Sequence, residues 1–184
     1  MLDPVSGWCT GARRCPSPNC DARPLGTVVD LLVIHGISLP ARQYGGPHIE
    51  ALFQNQLDYA AHASFASLQG LRVSAHFLVR RDGELLQFVA TRDRAWHAGM
   101  SSFQGRAACN DFSIGIELEG CDDEPYEDAQ YAQLLALTGR LRAIYPGLSP
   151  DHIVGHSDIA PGRKTDPGPH FDWARYRRAL DTRD

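Results

Sequence analysis

Apolar positions along this chain follow two periods, and the points where the period changes divide it into elements. Val28 to Ile34, within TVVDLLVIHGIS, is the densest β-branched and apolar run and predicts a strand with His35 at its exit. Ile49 to Leu68 reads as helical, with the pattern blurred by Ala, Gln and His. RVSAHFLVRRDGELLQFVA is two alternating runs around Asp82-Gly83, the signature of a hairpin. In FSIGIELEG, Ile114, Ile116 and Leu118 point one way while Gly115, Glu117 and Glu119 point the other. A carboxylate on that second face is ordinary if the face is wet and costly if protein covers it. Tyr131 to Tyr145 carries a broad leucine face and ends at Pro146-Gly147, as a helix does. DHIVGHSDI predicts a short strand, an irregular segment follows through Pro169, and DWARYRRAL predicts a terminal helix. The sum is an α/β fold, a mixed central β-sheet flanked by helices.

Length makes this one domain: 184 residues bury a substantial core without room for a second full domain. Residues 1–26, punctuated by Pro and Gly, are expected to be an irregular segment packed on or near it. The net charge of -4 and the scatter of the basic residues argue against a nucleic-acid partner. No apolar run is long enough to span a bilayer, and the amino terminus lacks both an early basic region and a signal-like apolar run. The expectation is a cytoplasmic protein that neither crosses nor binds a membrane, and a monomer, since no long exposed apolar stripe is evident. Five cysteines form an odd set without zinc-knuckle spacing, and a chain of this size needs no disulfide, so free thiols are expected.

Candidate chemistry gathers where apolar runs meet polar turns, at His35, Glu117, His156, Lys164 and Asp166. Two imidazoles and a carboxylate are a ligand set that leaves a catalytic zinc one open position. Asp166 lies ten residues beyond His156 across a loop rich in Pro and Gly, which could fold back to complete such a site. No tight motif such as H-E-x-x-H is present, and a histidine at a strand end also serves as a surface or hydrogen-bonded group, so spacing alone leaves both readings open. Lys164, the single lysine, reads equally as a solvated loop charge, and Glu117 as a cross-strand charge.

The blocks VIHGIS, GLRVSAHFLVRRDGELLQFV, RAWHAG, GRAACNDFSIGIELEG and IVGHSDIAPGRKTDPGPHFDW resemble the cytoplasmic 1,6-anhydro-N-acetylmuramyl-L-alanine amidases of the zinc-dependent amidase_2 family, relatives of peptidoglycan recognition proteins. The likeness spans nearly the whole chain. It implies one zinc ion held by His35, His156 and Asp166, and catalytic roles for Glu117 and Lys164. It also implies hydrolysis of the amide joining 1,6-anhydro-N-acetylmuramic acid to L-alanine, in recycling of cell-wall fragments. A muropeptide substrate would need an apolar platform and fixed donors. Arg72, Trp96, Arg106 and Asn110 are the candidates for these, with packing as the alternative for Trp96 and a solvated surface role as the alternative for the two arginines.

Overall fold

The computed structural model describes residues 1–181. Its strands are β1 (Arg13–Arg14), β2 (Cys20–Ala22), β3 (Leu31–Ile37), β4 (Phe77–Val79), β5 (Leu85–Gln87), β6 (Asp93–Ala95), β7 (Ser102–Phe103), β8 (Arg106–Ala107), β9 (Ser113–Glu119) and β10 (Ile153–Gly155). Its α-helices are α1 (His48–Phe53), α2 (Asp128–Arg142), α3 (His156–Ile159) and α4 (Trp173–Asp181). Six strands form the central sheet in the order β1-β5-β4-β9-β3-β10. It is mixed: β4 and β5 are antiparallel, and every other pair is parallel. β2 pairs with β6, and β7 with β8, as small ribbons beside it.

The hairpin forms where the alternation predicts it. Val79 pairs with Leu85, Arg80 N donates to Glu84 O at 2.9 Å, and Gly83 takes a positive φ of 88° at the turn, a conformation only glycine adopts cheaply. α2 begins with Glu127 N donating to the Gln130 side chain at 3.0 Å, and Gln130 Nε2 reaches back to Glu119 O at 3.0 Å, tying the helix start to the end of β9. Leu134, Leu137 and Leu141 are fully buried against the sheet.

Two expectations change. The stretch Ile49–Leu68 is not one helix: α1 ends at Phe53, Asn55 turns left-handed at φ 60°, and a 3-10 helix resumes over Ala63–Leu68. Between them the sequence offers no helical apolar stripe; Leu57 is the one buried hydrophobic, and Asp58 caps the Ala60 N–H. The opening segment is less irregular than its Pro and Gly content predicts. It supplies β1 to the sheet edge and β2 to a ribbon, and it buries Leu2, Cys9 and Cys15. All five cysteines are free. Among the described residues, no helix is long and apolar enough to cross a membrane.

The sheet's two faces differ. Leu32 and Ile34 of β3, Ile114, Ile116 and Leu118 of β9, and Phe77 and Val79 of β4 join the α2 leucines and Tyr176 of α4 in one continuous core. On the opposite face the apolar cover splits into two clusters, one around Phe53, Phe65 and Leu78 and the other around Leu31, Val33 and Val154. That face carries His35, Glu117 and Glu119.

Candidate metal centre

β3 and β9 run parallel with His35 opposite Glu117, so the two side chains stand side by side on the sheet face away from α2. β10 flanks β3 on its other side with Gly155 opposite Ile34, and the next residue, His156, begins α3 beside His35. The loop after α3 then folds back. Lys164 N donates to Ala160 O at 3.0 Å, Ser157 N to Asp166 O at 3.0 Å, and Tyr126 OH to Pro167 O at 2.9 Å. These bonds return Asp166 to the two histidines.

Three atoms converge. His35 Nδ1 and His156 Nδ1 are 2.9 Å apart, and Asp166 Oδ2 lies 3.2 Å from the first and 3.1 Å from the second. The face of a zinc tetrahedron with bonds of 2.0–2.1 Å has edges of about 3.3 Å, so this triangle has the size of a tetrahedral donor face. Burial favours the uncharged imidazole and moves His35 down to about 4. Burial works against an ionised Asp166, but protons shared with His156 and His35 when no cation lies between them, and the charge those protons carry, outweigh that and hold its carboxyl well below the usual range. A divalent cation would take the place of those shared protons, between bare Nδ1 atoms and the ionised carboxylate.

The remaining ring nitrogens are also engaged. His156 Nε2 lies 3.2 Å from Ala98 O, an atom that only accepts, which assigns the ring proton to Nε2 and leaves Nδ1 bare. The tautomer that bares His35 Nδ1 puts its proton on Nε2, where His97 Nδ1 is 2.9 Å away; His97 Nε2 then faces Ser113 Oγ at 3.1 Å. The donor set therefore fits zinc in chemistry, spacing and outer partners.

Glu117 is 8% exposed, and its Oε2 is buried without a hydrogen-bond partner. Burial, then the negative charge of Asp166, pushes its carboxyl up to about 8, against the pull of Lys164. Glu119, two residues on, shows the contrast: Arg80 at 2.7 Å and the Gly45 N–H at 2.8 Å satisfy it. So the second face of β9 is covered, and Glu117 is the member left without a partner.

His35, His97, Glu117, His156, Lys164 and Asp166 line one cavity of about 280 Å³, with apolar walls from Ile37, Leu39, Leu52, Phe53, Leu68 and Leu71. The four expected substrate contacts are not among its wall residues. Arg72 is exposed between the wall residues Leu71 and Val73. Trp96 adjoins His97, and its ring N–H donates to Asp21 Oδ1 at 3.2 Å. Arg106 lies elsewhere: it pairs with Asp30 at 2.9 Å, covers the Phe112 ring and borders a separate depression with Pro24 and Val28. Asn110 turns its Oδ1 to the backbone, accepting from His97 N at 3.0 Å and Ala98 N at 2.7 Å. The sequence gives no sign of the Ala98 carbonyl's part, because a backbone atom carries no residue signature. His97 stands out only as a histidine in a turn.

Comparison with known proteins adds four findings. The sequence profile of the N-acetylmuramoyl-L-alanine amidase family, Amidase_2, matches residues 25–169. The 1,6-anhydro-N-acetylmuramyl-L-alanine amidase AmpD of Escherichia coli is 58% identical over 171 residues, covering 93% of each chain. A crystal structure of a selenomethionine AmpD derivative superposes with a TM-score of 0.94 at 56% identity, over 98% of this chain and 99% of that one. More distantly, AmpDh3 of Pseudomonas aeruginosa in complex with anhydromuramic pentapeptide has a TM-score of 0.62 at 34% identity, over 85% of this chain and 61% of that one. With a profile match across most of its length and relatives this similar end to end, the chain belongs to the N-acetylmuramoyl-L-alanine amidase family.

Proposed function

We propose that this protein is a zinc-dependent amidase that cleaves the bond between the lactyl carbonyl of 1,6-anhydro-N-acetylmuramic acid and the amino group of L-alanine, in cytoplasmic recycling of cell-wall fragments. The observation that carries this reading is the triangle of His35 Nδ1, His156 Nδ1 and Asp166 Oδ2 beside the unpartnered Glu117 Oε2 in one cavity. The substrate follows from the similarity to AmpD and from the anhydromuramic pentapeptide in the AmpDh3 complex.

His35, His156 and Asp166 would hold the ion. When bound, zinc polarises the scissile carbonyl, acidifies the attacking water and favours the ionised form of Glu117 by its charge. Glu117 takes the proton from that water and hands it to the departing amine, a role suited to a carboxylate with no competing hydrogen bond. The Lys164 ammonium, on the same cavity, offsets the negative charge that grows on the carbonyl oxygen. The apolar wall receives the sugar and lactyl surface. Arg72 and Trp96, which adjoin wall residues, are the candidate contacts for the stem-peptide carboxylate and the sugar. The protein acts as a monomer in this reading.

The test compares zinc-loaded and chelator-stripped protein on matched muropeptides with 1,6-anhydro and reducing-end muramic acid, reading released L-alanyl peptide by mass spectrometry. Zinc-dependent release favouring the anhydro form is expected. Equal release from both sugars would point to a broader amidase, and binding without release would overturn the enzymatic reading.

A further inference from the structure

Both ligating imidazoles look to the same two consecutive residues. His35 Nε2 faces His97 Nδ1 at 2.9 Å, and His156 Nε2 faces Ala98 O at 3.2 Å. The orientation of His97–Ala98 therefore sets both rings at once. One side-chain atom holds both N–H groups of that dipeptide: Asn110 Oδ1 accepts from His97 N at 3.0 Å and from Ala98 N at 2.7 Å, while Arg163 Nη2 donates to Ala98 O at 2.6 Å. With two N–H donors on one carbonyl oxygen, the peptide planes on either side of His97 cannot rotate without losing a bond, which fixes the His97 ring's backbone and the position from which Ala98 presents its carbonyl.

Asn110 is itself anchored. It lies in a 3-10 turn, Cys109–Asp111, entered through Ala108 at φ 57° and braced by Cys109 N donating to Ser101 Oγ at 3.1 Å. From the amino-terminal segment, Arg23 Nη1 donates to Asn110 O at 3.1 Å and Asp111 O at 2.8 Å, while its Nη2 donates to Ser113 O at 2.9 Å. The dipeptide is confined from the sheet side too. A Cβ at Gly115 would come within 2.5 Å of the His97 ring, so the ring rests on the bare glycine backbone.

We infer that Asn110 is a positioning residue for the metal centre: through Oδ1 it fixes His97–Ala98, which in turn orients both imidazole ligands. This replaces the expectation that Asn110 donates an amide hydrogen bond to substrate, and it rests on the zinc reading above. The two roles use different atoms, since positioning needs Oδ1 and substrate donation needs Nδ2. Asn110→Asp keeps the first and loses the second, whereas Asn110→Ala loses both.

The experiment measures zinc affinity by chelator competition for the wild type, Asn110→Ala and Asn110→Asp, with the melting temperature of each zinc-free protein as a check on folding. Asn110→Ala is expected to bind zinc about 10- to 100-fold more weakly, and Asn110→Asp to stay within about threefold of the wild type. Wild-type affinity in Asn110→Ala would overturn the inference. So would a tenfold loss in Asn110→Asp, which decides the matter alone if the alanine variant does not fold. A wild type that binds no zinc would instead overturn the metal-centre reading, a failure distinct from the other two.

Discussion

Glu117 and Glu119 sit two residues apart on one strand face and are both buried, yet only Glu119 has its charge answered, by Arg80 and the Gly45 N–H. Leaving a buried carboxylate oxygen unpartnered costs about 1–3 kcal/mol or more, a cost selection tolerates where the group has work to do. Glu117→Gln is nearly isosteric and removes the proton acceptor. It is expected to lower kcat by about 10²- to 10⁴-fold while keeping zinc bound. Steady-state kinetics beside a zinc titration checks this; near-normal kcat would remove Glu117 as the base. Alternation in the sequence put both carboxylates on one face, but what covers that face is decided in the fold: Gly45 and Arg80 meet Glu119, and Glu117 lies in the cavity walled by Ile37, Leu39 and Leu52.

The elements that carry the site are those with strong periodic signals. β9 and the β4–β5 hairpin fall within the apolar patterns that predict them, since β-branched runs and an Asp-Gly turn are local properties of the chain, while β3 starts at Leu31 instead of Val28 and runs on to Ile37, so His35 lies within the strand and not at its exit. The weakly patterned Ile49–Leu68 stretch broke into a helix and a 3-10 turn because its cover of the cavity is decided by where Leu52, Phe53 and Leu68 find apolar neighbours. At this scale Gly115 is the sensitive point of β9. Gly115→Ala drives a methyl into the His97 ring and is expected to cost about 1–3 kcal/mol of stability. Urea unfolding of the zinc-free protein reads that cost, and an unchanged midpoint would show that the ring has room to move.

Across the whole molecule the amino-terminal segment is fastened to the sheet by charge as well as by strand pairing. Arg13 bridges Glu50 and Glu84 at 2.8 Å each, and Glu50 also meets the buried Arg80 at 2.8 Å. These bonds, Arg13 first, outweigh partial burial and hold the Glu50 carboxyl down at about 2. Its folded pKa lies below the ordinary 4.5, so the stabilisation is complete above about pH 4.5 and fades as the pH falls towards 2. The gap in stability between wild type and Glu50→Gln should therefore narrow across that window and stay constant above it. Denaturant unfolding from pH 7 down to the acid limit checks this, and a gap independent of pH would show that Glu50 contributes only by packing.

The sequence alone determined the fold class, the main strands and helices, the family likeness, and the residue types able to bind a metal. These depend on local periodicity and on motifs of contiguous residues. Only the tertiary structure decided that His35, His156 and Asp166 meet within 3.2 Å, that Glu117 loses its solvent, that Arg106 turns away to Asp30, and that Asn110 faces the backbone of His97 and Ala98. Strand order and a loop closure set those contacts. Several of them end on backbone atoms, which every residue shares and no sequence pattern can mark.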